Sequence, residues 1–235
     1  MKRSFLVLAS LLLAVVLAAP AQAHEAGQWI LRGGIGTVMP KDDNLDLPEI
    51  DLEGLVINAS VEVDDGTSLT LSATYMFTEN WAIDILAAWP FSHDIDLDAT
   101  ISDGKTTESG SVPFGEVEHL PPTVSVQYHF APQAEFQPYV GLGLNYTTFL
   151  DEDLDSEVSD VISDYSLDDS FGIAAQVGAD WLFNEQWLVN FDVRWINIEA
   201  DLDATIEDPA GPVSGELGTV EIDPWVVSIN VGYMF

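Results

Sequence analysis

The run Thr67-Ser68-Leu69-Thr70-Leu71-Ser72-Ala73-Thr74-Tyr75-Met76-Phe77 decides the fold. Its odd positions are Leu69, Leu71, Ala73, Tyr75 and Phe77, and its even positions are Ser68, Thr70, Ser72, Thr74 and Met76. One set is apolar and ends in aromatics; the other is mostly hydroxyl. A period of two is what a strand sorts onto opposite faces. A slip of one residue would invert both faces, so the register is strongly specified.

Seven more segments read the same way, at 28–36, 81–89, 124–130, 139–146, 171–183, 187–195 and 225–235. In the seventh of the eight strands, Trp187, Val189, Phe191, Val193 and Trp195 alternate with Leu188, Asn190, Asp192 and Arg194. The connections alternate too. Short turns lie at Thr78-Glu79-Asn80, Ala131 to Glu135 and Asn184-Glu185-Gln186, and long segments follow strands one, three, five and seven.

The composition fits that division. The 235 residues carry 40 acids against 6 bases, a formal charge of −34, yet 47% are hydrophobic. Of the 40 acids, 33 fall in the four long segments, so charge and apolar content are separated along the chain. This much negative charge argues against nucleic acid as a partner, because phosphate must exchange its counterions for Lys and Arg. The apolar content excludes an acidic disordered tail. The absence of cysteine excludes disulfides, thiolate metal sites and cysteine nucleophiles.

An even number of strands, with short turns at one end and long loops at the other, is the pattern of an eight-stranded antiparallel transmembrane β-barrel. The long acidic loops are then extracellular and the short turns periplasmic. A soluble barrel shares the periodicity but hides its apolar face inside. The volumes of the two faces choose between them. The apolar face carries all seven tryptophans (Trp29, Trp81, Trp89, Trp181, Trp187, Trp195 and Trp225), while the opposite face is rich in Gly, Ser, Thr and Asn. Eight strands enclose room only for modest side chains, so the bulky face belongs outside.

Lys2 and Arg3, an apolar run from Phe5 to Ala19, Pro20 and Ala21-Gln22-Ala23 form a secretory signal. Residues 1–23 are therefore read as a cleaved signal peptide and 24–235 as one barrel domain.

The chain resembles the outer-membrane protein W family of Gram-negative bacteria. The resemblance rests on His24-Glu25-Ala26-Gly27, Ala87-Ala88-Trp89-Pro90-Phe91-Ser92-His93, His119-Leu120-Pro121-Pro122, the stretch from Pro138 to Phe149, Asp223-Pro224-Trp225 and Gly232-Tyr233-Met234-Phe235. It implies a monomeric barrel in lipopolysaccharide and outer-membrane lipid. It further implies passive uptake of small hydrophobic solutes through a narrow lumen, with sideways release into the membrane. Tyr233 and the terminal Phe235 resemble the signal read by the outer-membrane assembly machinery.

Sorted by height along the strands, Arg32, Asp84, Asp180, Asp192 and Arg194 form a polar plug low in the lumen. Leu86, Ala88, Phe149 and Ile196 form an apolar constriction above it. Arg194 stands where family members commonly present a large apolar side chain. Pairing with Asp192 would narrow the bore, and pairing elsewhere would admit polar guests; a structural ion pair is the expectation. Pro90, Pro121 and Pro122 cannot donate to a ladder. They mark either a lateral opening or simple strand ends at the rim, and both readings stand at this point.

Weaker signals carry less. Asp151-Glu152-Asp153-Leu154-Asp155 begins like a calcium loop, but Ser156 and Ile162 occupy the glycine and glutamate positions. The acidic loops are read as a solvated surface suited to salt, with salt or stress adaptation or recognition as the competing function. Asp96 to Ile101 recurs as Asp201 to Ile206, so both rising strands are expected to extend above the membrane as ribbons. The third long loop is expected to hold a helical turn between Val158 and Leu167. Neither His129 with Ser125 nor His93 with His119 has a defined acid partner, so no enzyme activity, metal or cofactor is expected.

Overall fold

A computed structural model of the chain describes residues 24–41, 44–47, 49–52, 55–156, 158–159, 162–207 and 211–235; the signal segment lies outside them. Among the described residues the order is β1 (Trp29–Met39), β2 (Leu45–Asp46), β3 (Ile50–Leu52), β4 (Leu55–Val63), β5 (Gly66–Met76), β6 (Trp81–Ala88), β7 (Phe91–Ser102) and β8 (Thr107–Leu120). It continues through β9 (Thr123–His129), β10 (Phe136–Leu154), β11 (Ile162–Leu167), β12 (Ser170–Leu182), β13 (Trp187–Ile196), β14 (Glu199–Ile206), β15 (Val213–Glu221) and β16 (Trp225–Met234).

Eight of these make the barrel. The order β12-β13-β16-β1-β5-β6-β9-β10 is closed by pairing of β10 with β12 along Phe136↔Trp181 to Thr147↔Ser170. Every barrel ladder is antiparallel. Closure matters in lipid, because a free strand edge would leave backbone donors and acceptors with no partner. The chain ends lock the seam: Trp29 and Phe235 exchange backbone hydrogen bonds of 2.9 Å in both directions.

The bulky face points outward. Leu142 is 72% exposed and Trp89 74%, values that a water-soluble surface would not tolerate over a whole belt. Six of the tryptophans are exposed, while Trp195 is half-buried. At the short-turn end Trp29 meets Tyr75, Trp81 meets Tyr128 and Trp187 meets Tyr233, with centroids 4.9, 4.9 and 5.0 Å apart. Such pairs form an interfacial girdle.

Above the barrel, β4, β7 and β8 and then β11, β14 and β15 rise as ribbons. The two Asp-Leu-Asp-Ala-Thr-Ile copies lie in β7 and β14. Leu202 is buried in the apolar cluster that fills the canopy, and Leu97 packs against it. The expected helical turn is confined to its first step: Ile162 N donates to Val158 O at 2.9 Å, the spacing of one helical turn, and the chain then enters β11, which pairs with β14. The strand wins because it pairs the open edge of β14 and buries Tyr165 against Phe114, 5.2 Å between centroids.

The small inner face lets strands and side chains approach closely. A Cβ on Gly34 would overlap the Ile229 carbonyl oxygen, which is backbone and cannot move aside. We expect Gly34→Val to lower barrel stability by about 1–3 kcal/mol. Urea unfolding in detergent reads this, and an unchanged midpoint would refute the tight β1–β16 seam.

Candidate functional site

The lower lumen is closed by one hydrogen-bonded network. Arg32 on β1 grips Asp180 on β12 with both prongs, Nε to Oδ1 at 3.0 Å and Nη2 to Oδ2 at 2.5 Å. Its Nη1 donates to Thr74 Oγ1, which in turn donates to Asp84 Oδ1 at 2.7 Å. Arg194 Nη2 lies 3.3 Å from Asp84 Oδ2 and also donates to Gln176 Oε1. Its Nε is 3.7 Å from Asp192 Oδ1. Asn190 joins Asp180 at 2.8 Å to the Tyr139 hydroxyl at 3.0 Å, which donates to Asp192 Oδ2 at 2.8 Å.

All five charged residues are buried, from 0 to 8% exposed. Charges removed from water persist only when paired and hydrogen-bonded, which this arrangement supplies fully for Arg32 and through Nη2 for Arg194. The free space beside them, next to Leu86, is about 10 Å³, no more than one water molecule needs. The bore is therefore shut at this level. Arg194 is tied into the plug through Nη2, while its Nε and Nη1 have no hydrogen-bond partner. Leu86 sits on the plug, lower than its position along the strand led us to expect. Barrel strands are tilted, so residues at equal counts from the strand ends do not share a height.

Ala88, Phe149 and Ile196 meet in one apolar cluster above the plug, with Ile196 fully buried. Beside them, Val61, Ile95, Phe114, Phe149, His93 and His119 line a chamber with about 20 Å³ free. The His93 and His119 rings are 4.8 Å apart, and His119 also faces Phe91 at 5.7 Å. His93 Nδ1 lies 2.6 Å from the Asp64 carbonyl, while both Nε2 atoms have no partner. Burial favours the neutral rings, lowering His93 and pushing His119 down to about 3. His93 is thus oriented by backbone and not by a carboxylate.

The prolines coincide with a break in the wall. The β6–β9 ladder stops at Leu86↔Thr123, and pairing resumes at Phe91↔His119 between β7 and β8. Residues 87–90 and 120–122 form no ladder pair with each other. Below Pro90, Ala88 and Trp89 bond only toward β5, through Thr70↔Ala88 and Trp89 N to Leu69 O at 2.9 Å. Pro121 and Pro122 carbonyls accept from Thr123 and from Asn145 and Tyr146 instead. At the far end of the chain, Phe235 is 61% exposed and Tyr233 stacks beside it.

Two features escaped the sequence reading. Tyr139 is a large lumen side chain on a face of small ones, and it fits because its ladder partner is Gly178, whose missing Cβ would strike the ring. A glycine facing a tyrosine was the available signal, but the pairing was not known. His24 lies buried at the barrel floor beside His129, with centroids 4.9 Å apart. Nothing in the periodicity brings a residue before β1 to the end of β9.

Barrel closure, an outward aromatic belt and a plugged narrow lumen define a small outer-membrane β-barrel. The OmpW family model matches residues 25–235, and the chain belongs to that family. It is 42% identical to outer membrane protein W of Vibrio cholerae serotype O1 over 227 residues, 95% of each chain. It superposes on the crystal structure of OprG from Pseudomonas aeruginosa with a TM-score of 0.72 and 35% identity, covering 91% of this chain and 98% of that one. A more distant relative, 25% identical and covering 93% of both chains, is the dibenzothiophene metabolism operon protein PahQ of Pseudomonas aeruginosa.

Asp84→Ala takes the carboxylate at 3.3 Å from Arg194, while Arg32 keeps Asp180, and we expect a loss of about 3–5 kcal/mol in unfolding free energy. A loss below about 1 kcal/mol would mean the plug is hydrated and not dry. His119 gives a pH test. Its folded value lies below the unfolded 6.5, so the unfolded chain takes up the proton first and stability falls as pH drops below 6.5 toward about 3. His119→Phe should remove about 1.4 kcal/mol per pH unit from that slope. Parallel pH curves for the two proteins would rule the buried neutral ring out.

Proposed function

We propose that this barrel passes small hydrophobic molecules inward across the lipopolysaccharide layer and releases them sideways into the membrane. The observation that carries the reading is the break in the wall between residues 87–90 and 120–122, directly beside the apolar cluster and above a plug with no through-path. A guest entering the canopy meets Ala88, Phe149 and Ile196, cannot descend past Arg32 and Asp180, and finds the ladder between residues 87–90 and 120–122 interrupted beside it. A relative named for dibenzothiophene metabolism supports an apolar aromatic class of guest. The chamber has space for about one water, so a guest must displace side chains such as Phe149 as it enters.

The rest of the reading follows the same logic. Residues 1–23 are removed on export, Tyr233 and Phe235 are presented to the assembly machinery, and the barrel works as a monomer in outer-membrane lipid. The same narrowness favours one competing reading, a surface barrel whose acidic ribbons serve salt or stress adaptation or recognition without transport.

Ala88 sits at the mouth of the break, half-buried, and its replacement tests the reading. In cells carrying equal amounts of folded barrel, a fluorescent apolar tracer should enter faster with the intact chain than with none. Ala88→Arg should return uptake to the barrel-free rate, and Ala88→Ser should not. Identical uptake in all three, matching cells without the barrel, would discard transport and leave the ribbons as the working surface.

A further inference from the structure

At the barrel floor, at the short-turn end, three groups converge from separate parts of the chain. His24 precedes β1, His129 ends β9 and Asp180 lies in β12. One donor atom from each lies within 4.8 Å of the others, and all three residues are 0% exposed. His24 is pinned by its main-chain nitrogen, which donates to the Pro132 carbonyl at 2.8 Å. The two imidazoles meet edge to face at 73°.

The hydrogen bonding does not close. His129 Nε2 lies 3.2 Å from Gln127 Oε1, which makes Nε2 the donor and leaves Nδ1 a bare lone pair. That Nδ1 has no partner, and neither does either ring nitrogen of His24. Buried polar atoms are nearly always satisfied, and a neutral His24 keeps one N–H, so one His24 nitrogen and His129 Nδ1 are lone pairs in one dry corner that call for something to accept them. A fourth orphan, Gln137 Oε1, belongs to an amide whose nitrogen donates 3.0 Å to the same Pro132 carbonyl. The His129–Gln127 contact is also the kind of outer bond that fixes the tautomer of a metal-bound imidazole.

We propose that the barrel floor binds one divalent transition-metal ion of the zinc class through His24, His129 and Asp180. A fourth position is left for water or the Gln137 amide oxygen. Two imidazoles and a carboxylate suit zinc or copper, whereas calcium and magnesium prefer an all-oxygen shell. Metal–ligand bonds of about 2.0–2.2 Å require the donors to draw together by roughly 1 Å, which ring rotation supplies. Arg32 opposes a cation here, but it is neutralised by Asp180 at 2.5 Å and approached by Asp84 at 3.9 Å. Arg32 and Asn190 then hold the carboxylate from behind as outer-shell partners. Because the plug blocks the lumen above, the ion arrives from the short-turn side. Once bound, it fastens the start of the chain to β9 and β12.

The test uses protein isolated from outer membranes, stripped with chelator and kept folded in detergent. Zinc is titrated by calorimetry in a large excess of calcium, which occupies the acidic loops. We expect one zinc per chain to survive the calcium. His24→Ala and His129→Gln should each weaken it by roughly 100-fold or more, since outer-shell changes alone cost about 10–100-fold. Cobalt in the intact chain should give the visible absorption of a nitrogen-ligated site, a readout that needs no variant to fold. Binding that is equal in folded variants, binding abolished by calcium, or a cobalt spectrum of oxygen ligation only would each overturn the site. In those cases the floor holds ordered water.

Discussion

A strand in lipid must find a partner for every backbone donor and acceptor on both of its edges, and the architecture follows from that constraint. The β10–β12 ladder that closes the sheet is what removes the last free edges. Once closed, the barrel has an inside whose volume is fixed by eight strands. The apolar side chains that would form a core in water then become the surface, and the small and polar ones become the interior.

That inversion explains the lumen. With Gly34, Gly141, Gly143, Gly172 and Gly178 facing inward, the strands leave space that only selected side chains fill. Tyr139, Arg32 and Arg194 fill it, and carboxylates and amides on β6, β12 and β13 bind the ends of Tyr139 and Arg32 and Nη2 of Arg194. An interior too narrow for bulk water cannot carry stray charge, so each guanidinium is matched by a carboxylate. The price is a closed bore. Backbone pairing then has to fail somewhere for a guest to leave, and it fails beside Pro90, Pro121 and Pro122, which lack the donor a ladder needs.

The canopy obeys a different rule, because water surrounds it. There the ribbons turn their apolar residues inward, as Phe91, Ile95, Phe114 and Leu202 do, and display the acids. The chain thus changes which face is apolar-out at the membrane rim without changing its period of two. His93 and His119 sit at that changeover, buried among aromatics and kept neutral by the surrounding apolar groups.

The sequence by itself determined the eight barrel strands, the side of the wall each residue faces, the short and long connections and the family. These depend on local alternation and on side-chain volume, which are written along one dimension. It also placed Arg32, Asp84, Asp180, Asp192 and Arg194 on the inner face. The tertiary structure decided which of these touch. Asp84 bridges two arginines, and Leu86 falls on the plug and not in the apolar cluster, because shear and tilt set relative height across a barrel. It decided that residues 162–167 form a strand, since the partner edge on β14 is distant in sequence. It alone brought His24 beneath the barrel beside His129 and Asp180, because a position outside the alternating pattern takes its place from closure of the whole sheet.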